Sequence, residues 1–157
     1  VRPQPLGEID LDSFDAVMGV NLHSAIQATQ AVLPNMREQG WGRVLNVSSL
    51  TVLGMPGRTA YASAKAALVN FTRTWALELA RDGITVNCVA PGPIATTAFW
   101  ENNPEDAPET RAIVDAVPMG RMGTPEDVAQ AVSFFADPRS GFITGQTVFV
   151  CGGTAVG

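Results

Sequence analysis

The feature that most constrains the fold is an alternation of helical segments with short runs of β-branched apolar residues. We expect buried strands at 44–49, 84–90 and 145–151, and helices at 10–39, 61–80 and from Thr124 onwards. Strands that alternate with helices favour a parallel sheet with right-handed crossovers. The low charged fraction of 16% agrees with elements that are buried on both faces. The sequence therefore predicts an α/β fold, a Rossmann-type doubly wound parallel sheet, with the order α-β-α-β-α-β.

Capping residues set the predicted helix ends. Asp10 is an expected N-cap, Gly40 an expected stop, and Pro34 is expected to kink or loosen the last turns between them. Thr124 followed by Pro125 is typical of a helix start. The segment 96–118 is acidic and irregular to weakly helical by its pattern, and we expect a mobile flap there.

Composition excludes several classes of function. The net charge is −5 and the isoelectric point is about 4.7, with Lys and Arg scattered along the chain, so no footprint for nucleic acid exists. Cys88 and Cys151 lie in strand-like runs and form no metal motif, which predicts buried free thiols in a cytoplasmic protein. The uncharged run 83–100 contains prolines, glycine and asparagine that argue against a membrane span, and no signal peptide is visible. The start at Val1 is typical of an excerpt of a longer protein.

Tyr61 and Lys65 carry the strongest chemical signal. Four residues apart on a helix, they share one face, and a fixed cation beside a phenol stabilises the phenolate. Such a pair serves as a general acid/base, although helices also carry Tyr-x-x-x-Lys by chance. Ligands of open α/β sheets bind beyond the carboxyl ends of the strands. Ser48 and Ser49 end the first strand, so we expect serine, tyrosine and lysine at one edge of the sheet.

Six segments in order resemble the short-chain dehydrogenase/reductase family, and particularly members similar to 3-oxoacyl-carrier-protein reductases. They are Val-Asn-Leu at 20–22, Asn-Val-Ser-Ser at 46–49, Tyr-Ala-Ser-Ala-Lys at 61–65, the Asn-x-x-x-Pro-Gly segment at 86–97, the Gly-Arg-Met-Gly-Thr-Pro-Glu-Asp segment at 120–129 and Ile-Thr-Gly-Gln to Gly-Gly at 143–153. The resemblance implies NAD or NADP as cofactor and a small-molecule alcohol or ketone as substrate. It also implies a homodimer or homotetramer formed through the helices at 10–39 and 60–80 and the last strand.

The resemblance also implies roles for individual residues. Tyr61 would exchange a proton with the substrate oxygen, and Lys65 would favour the phenolate and bind the nicotinamide ribose. Ser49 would polarise the carbonyl, and Asn21 would hold a water of a proton relay. The residues that would line the nicotinamide and pyrophosphate are Pro91, Gly92, Ile94 and Thr96, together with Tyr61 and Lys65.

Several alternatives stay open. Strand alignment makes Ser49 the catalytic serine, whereas the family's commonest spacing from Tyr61 gives Ser48. Asn21 is alternatively a helix-kink residue, and Thr96 an ordinary cap. His23 is expected to be a structural or surface residue. The three tryptophans are expected to be packing residues, with Trp100 lying in the flap.

The sequence departs from the family pattern at its front. No glycine-rich strand-to-helix turn for a pyrophosphate is present, nor is an Asn-Asn-Ala-Gly segment. About three β-α units, roughly 90 residues at about 30 each, would carry those features and the residue that selects NAD or NADP. The leading hypothesis is therefore the catalytic C-terminal part, 1–157, of a single dehydrogenase domain. The alternatives are an incomplete fragment that acts as an interaction or oligomerisation module, and an epimerase or dehydratase, which the compact ending disfavours.

Overall fold

The computed structural model describes residues 2–156, apart from the side chain of Asn102. The helices are α1 (Leu11–Met18), α2 (Ser24–Gln39), α3 (Thr59–Leu79), α4 (Thr97–Asn102), α5 (Pro108–Asp115) and α6 (Pro125–Ala136). The strands are β1 (Gly42–Val47), β2 (Ile84–Pro91) and β3 (Thr147–Val150). The strands and the helices that pack on them alternate along the chain, which confirms the predicted alternation of helices and strands.

The three strands form one parallel sheet in the order β1-β2-β3. Gly42 pairs with Ile84 in the first ladder, and Cys88 pairs with Thr147 in the second. All three strands therefore end at the same edge of the sheet. The predicted α/β class with a parallel sheet is confirmed.

The helices cover the sheet on two faces. Val44 packs against a cluster that includes residues of α2 and α3, while the guanidinium of its neighbour Arg43 donates to the Pro138 carbonyl just after α6 at 3.4 Å. Successive residues of a strand point to opposite faces, so α2 and α3 lie on one side and α6 on the other. This arrangement explains why β2 is buried from Ile84 to Ala90.

The main core lies between β2 and the ends of α2 and α3. Its buried members are Ala76, Leu79, Ile84 and Val86, with Leu33, Met36, Val44 and Trp75 packed against them. Trp75 thus has the expected packing role. Trp41 does not, because it is 46% exposed and its ring lies 5.1 Å from the Arg43 guanidinium.

The first predicted helix contains a change in its backbone hydrogen-bond register that the hydrophobic pattern of the sequence did not indicate. Asp10 caps α1 as expected, with its carboxylate accepting from the Ser13 amide at 3.1 Å. The segment Gly19–His23 is then π-helical before α2 resumes. The helix continues through Pro34 and ends at Gly40, which adopts φ 59.

Two predicted strand boundaries need correction. β1 covers Gly42–Val47 rather than 44–49, because the Ser49 hydroxyl accepts from the Thr51 amide and starts a 3-10 turn. β3 covers only Thr147–Val150 rather than 145–151, because Gly145 adopts the left-handed φ of 73. The segment 96–118 holds two short helices, α4 and α5.

The start of α6 is fixed by reciprocal capping. The Thr124 hydroxyl accepts from the Asp127 amide, and the Asp127 carboxylate accepts from the Thr124 amide at 2.8 Å. The Arg121 guanidinium donates to the same carboxylate at 2.7 Å. This ion pair, with the backbone bond, lowers the pKa of Asp127 to about 2. The predicted cap at Thr124 is confirmed.

None of the helices between residues 2 and 156 combines the length and the apolar character that spanning a lipid bilayer requires. Cys88 and Cys151 are both buried and free, as the sequence predicted. Cys88 lies in β2, whereas Cys151 comes directly after β3.

Gly83 brings the ends of α2 and α3 side by side, so that β1 and β2 begin in register. Gly83 adopts φ 72, and an added Cβ would lie 2.1 Å from the Gly40 carbonyl oxygen. Gly120 adopts a similar φ of 68, with nothing within 4 Å of an added Cβ.

We expect Gly120→Ala to lower the free energy of unfolding by about 1 kcal/mol, the cost of a left-handed alanine. Gly83→Ala should lower it by about 1–3 kcal/mol more, because the clash is with backbone.

The measurement is urea unfolding of the 157-residue chain and both variants. Equal destabilisation by the two substitutions would contradict the close approach of Gly83 to Gly40.

Candidate active site

Several of the predicted site residues lie at the edge where β1 and β2 end. Ser49 follows β1 by two residues, and Pro91 is the last residue of β2. Tyr61 and Lys65 lie in the first two turns of α3, which contacts both strands. The parallel order of the strands therefore places hydroxyl, phenol and ammonium groups at one end of the sheet.

Tyr61 and Lys65 form a close pair on one face of α3. The Lys65 ammonium lies 5.5 Å from the centroid of the Tyr61 ring, within the range of a cation–π contact. Both side chains are half-buried. They are also the only tyrosine and the only lysine of the chain, and the other nine basic residues are arginines.

The Lys65 ammonium is held by backbone. It donates to the Val47 carbonyl oxygen, at the end of β1, at 2.9 Å. Burial lowers the pKa of Lys65 because desolvation disfavours the charged form, and the nearby Cys88 thiol opposes this in part. An ammonium has three donors, so two remain for other oxygens after the bond to Val47.

The two candidate serines have different surroundings. Ser48 is 3% exposed, and its hydroxyl donates to the Lys65 carbonyl oxygen at 2.8 Å. Ser49 is half-buried, and its hydroxyl oxygen accepts from the Thr51 amide at 3.2 Å. The Ser48 proton is thus committed within the fold, whereas the Ser49 hydroxyl keeps its own proton for a ligand.

Asn21 lies inside the π-helical segment Gly19–His23, which packs against α3. Its side-chain amide donates to the Val17 carbonyl oxygen at 2.9 Å. That carbonyl is the one that the backbone amide of residue 21 would use in a regular α-helix. The side chain thus supports the altered helix, and π-helical turns often occur at functional sites. His23, in the same segment, is exposed as expected.

The predicted cofactor-lining residues follow the end of β2. An added Cβ at Gly92 would lie 2.7 Å from the Cys151 side chain, so glycine allows close contact with the end of β3. Ile94 forms a parallel bridge with Gly123. The Thr96 hydroxyl caps α4 by accepting from the Phe99 amide at 3.1 Å. The segment from Pro91 to Thr96 forms a ledge at the end of β2, and Gly92, Ile94 and Thr96 each make contacts that belong to the fold itself.

Two contributors to the site were not anticipated from the sequence. The Val47 carbonyl is a backbone group and leaves no residue-type signal. Cys88, buried below Lys65, was expected only as a strand thiol; its pKa is raised by burial. A usable signal was present in the composition, since the single lysine and the single tyrosine are the pair that the structure brings together.

No group of three or more His, Cys, Asp or Glu residues in the described part of the chain is arranged to hold a metal ion. The polar side chains that the predicted site brings to this edge include a phenol, an ammonium and a hydroxyl.

Comparison with known proteins gives a consistent family. A family model described as enoyl-(acyl carrier protein) reductase matches residues 1–155. The chain is 43% identical to a (2S)-((R)-hydroxy(phenyl)methyl)succinyl-CoA dehydrogenase subunit of Thauera aromatica, over 99% of this chain and 61% of that protein. It is 44% identical to a 3-oxoacyl-(acyl-carrier-protein) reductase of Thermotoga maritima, over 92% of this chain and 58% of that protein. The chain thus spans about three fifths of the length of these relatives.

Solved structures agree. The TT0495 protein of Thermus thermophilus superposes with a TM-score of 0.89 at 36% identity, covering 98% of this chain and 65% of that one. An NADP-bound structure of ElxO superposes with a TM-score of 0.91 at 31% identity, covering 98% and 62%. The Rossmann-type fold is therefore shared with these proteins.

The single lysine allows a direct test of the site's electrostatics. In the chain labelled with carbon-13 at the lysine ε position, one resonance should report Lys65. We expect its pKa to lie below the ordinary value of 10.5, because burial disfavours the ammonium. Between the lowered pKa and the ordinary one, the unfolded chain binds more protons, so stability should rise with pH across that window.

The matched control is the same sample unfolded in urea, where the resonance should titrate at the ordinary value. Identical titration in the folded and unfolded chain would show that Lys65 is not held in the partly buried position described.

Proposed function

The chain belongs to the short-chain dehydrogenase/reductase family, and we propose that it is the catalytic part of an NAD(P)-dependent oxidoreductase acting on a secondary alcohol or ketone. In this proposal, 1–157 forms part of a single Rossmann-type domain. The observation that carries the proposal is the Tyr61–Lys65 pair at the carboxyl end of a parallel sheet, with the Ser49 hydroxyl at the end of the neighbouring strand.

The residues present fit one half of a nicotinamide dinucleotide. Lys65 has two free donors for ribose hydroxyls, and the half-buried ledge from Pro91 to Thr96, which follows the end of β2, is proposed to line the nicotinamide. The bound cofactor would supply or accept the hydride. The sequence has no glycine-rich turn for the pyrophosphate, so the present residues would hold the ribose and the nicotinamide and would supply only part of the contacts to the pyrophosphate.

Tyr61 is the proposed general acid/base. In the reductive direction its phenol gives a proton to the substrate oxygen, and in the oxidative direction the phenolate takes that proton back. The Lys65 ammonium lies 5.5 Å from the centroid of the ring and is proposed to act as the opposite charge beside it.

Lys65 is proposed to hold the ribose and to support Tyr61. The chain uses arginine at each of its other nine basic positions, so a lysine here indicates a need for an ammonium. An ammonium is a compact point charge whose pKa shifts on burial, whereas a guanidinium stays charged and is larger. Asn21, in the π-helical segment beside α3, is proposed to hold the water that links Lys65 to solvent.

Ser49 is the proposed hydroxyl that polarises and orients the substrate carbonyl. Its proton is available, whereas the Ser48 proton is bonded to the Lys65 carbonyl. This difference supports the strand alignment over the spacing count, and it assigns Ser48 no direct contact with substrate.

The names of two relatives point to a substrate class. Both the succinyl-CoA dehydrogenase subunit and the 3-oxoacyl-(acyl-carrier-protein) reductase are named for acyl thioesters. We propose a 3-oxoacyl or similar thioester for this protein as well. The flap, 96–118, begins at Thr96 beside the end of β2 and would contact the acyl part.

We also propose a homodimer or homotetramer in the cytoplasm. α2 has no fully buried residue, and Leu77 on α3 is 85% exposed, which leaves apolar surface for a second copy. Two free buried thiols suit a reducing compartment.

The test is Tyr61→Phe in the whole protein, assayed as ketone-dependent oxidation of NADH and of NADPH. Loss of the phenolic proton should lower kcat by at least about 100-fold, the scale of general acid catalysis. Cofactor fluorescence and thermal unfolding serve as controls, because the variant should still bind cofactor and fold. A Tyr61→Phe protein that turns over at the wild-type rate would exclude the proposed mechanism.

A further inference from the structure

Both the side chain and the backbone of Lys65 are hydrogen-bonded to residues at the end of β1. Its ammonium donates to the Val47 carbonyl oxygen at 2.9 Å. Its own backbone carbonyl accepts from the Ser48 hydroxyl at 2.8 Å. The last residue of β1 and the residue that follows it therefore hold the side chain and the backbone of a single helical residue.

The orientation of the peptide group between Val47 and Ser48 explains how the Lys65 side chain comes to lie across the end of β1. The Ser48 amide donates to the Val89 carbonyl oxygen in β2 at 2.8 Å. The Val47 carbonyl belongs to the same peptide and points the opposite way, toward the side of β1 that has no partner strand in the described residues. The Lys65 side chain must therefore reach across the end of β1, and its reach depends on where the backbone of α3 sits.

A second bond from β1 fixes α3 further along. The Asn46 side-chain amide donates to the Thr72 hydroxyl at 2.9 Å, and Thr72 is fully buried. Ser48 lies one residue past β1 and two residues after Asn46, and its amide continues the pairing with β2, so the two side chains face the same helix. Their attachment points, Lys65 and Thr72, are two helical turns apart on α3. Two such bonds fix both the position of the helix and its rotation about its axis.

We propose that Ser48 is a positioning residue for Lys65, which with Asn46 clamps α3 to β1 so that the ammonium is held over the end of the strand. This inference rests on the proposed function, because it assigns Ser48 to the same site. It predicts that the Ser48 hydroxyl affects the chemistry through Lys65, although it does not touch substrate.

Two titratable side chains lie close to the group that the clamp holds. The Tyr61 phenol faces it from α3, and the Cys88 thiol from β2. The clamp keeps the Lys65 ammonium beside both and partly away from water. Without it the ammonium gains access to solvent, where the charged form is favoured.

The first experiment needs no turnover. Ser48→Ala in the 157-residue chain, with carbon-13 on the ε position of its one lysine, should shift the pKa of Lys65 upward toward the ordinary value. Ser48→Thr retains a hydroxyl and should restore the wild-type titration. If Ser48→Ala does not fold, Ser48→Cys keeps the volume with a weaker donor and should give the same direction of shift.

Ser140→Ala is the matched control. Ser140 is 6% exposed, and its hydroxyl donates to the Phe134 carbonyl oxygen, far from Lys65 in the fold. Its loss removes the same kind of buried bond and should leave the titration of Lys65 unchanged. If Ser48→Ala lowers stability as Ser140→Ala does and Lys65 titrates as in the wild type, Ser48 is a core hydrogen bond alone and the proposal is wrong.

The second experiment uses the whole protein. Ser48→Ala should lower kcat by about 10-fold with KM little changed, since a small misplacement of a catalytic group slows the chemical step. The pH profile of kcat/KM should shift with it, and Ser48→Thr should restore both. If the whole protein shows no turnover, that result counts against the proposed oxidoreductase activity. The titration of Lys65 would then still decide whether Ser48 positions Lys65.

Discussion

Burial of β2 on both faces is the constraint on which the rest of the structure depends. From Ile84 to Ala90 each residue of this strand is covered, by α2 and α3 on one side and by α6 on the other. A strand buried in this way needs a partner on each edge for its backbone groups, and β1 and β3 supply them in parallel. Parallel pairing then brings the three carboxyl ends to one edge, so the location of the site follows from the packing of the core.

The site itself depends on how a cation is held at that edge. Partial burial of Lys65 costs solvation free energy, and the Val47 carbonyl oxygen offsets part of it by accepting from the ammonium. An exposed ammonium would be well solvated, but it would interact only weakly with a phenolate in water. Because it is only partly buried, Lys65 can be charged, stay close to Tyr61 and keep donors for a ligand.

The sequence predicted those features that depend on residue type at short range. Helical periodicity located α3, and Thr124 with Pro125 located the start of α6, because caps act within one turn. The π-helical segment Gly19–His23 was not predictable, since a shift of one hydrogen bond along the backbone changes no hydrophobic pattern. The different environments of Ser48 and Ser49 could not be predicted either, because the two residues are identical in type and differ only in the face of the sheet toward which their side chains point.

That difference is decided by the register of β1. Asn46 pairs with Cys88, and from there side chains alternate, so Ser48 faces α3 like Asn46 while Ser49 does not. The alternation continues to Ser49 because its backbone is still extended, with φ −162 and ψ 154. A slip of one residue would exchange the two hydroxyls and would also break the Asn46–Thr72 bond and bury Val47 against α3. The same pairing that completes the core therefore determines which serine hydroxyl donates to the Lys65 carbonyl oxygen and which one accepts from the Thr51 amide.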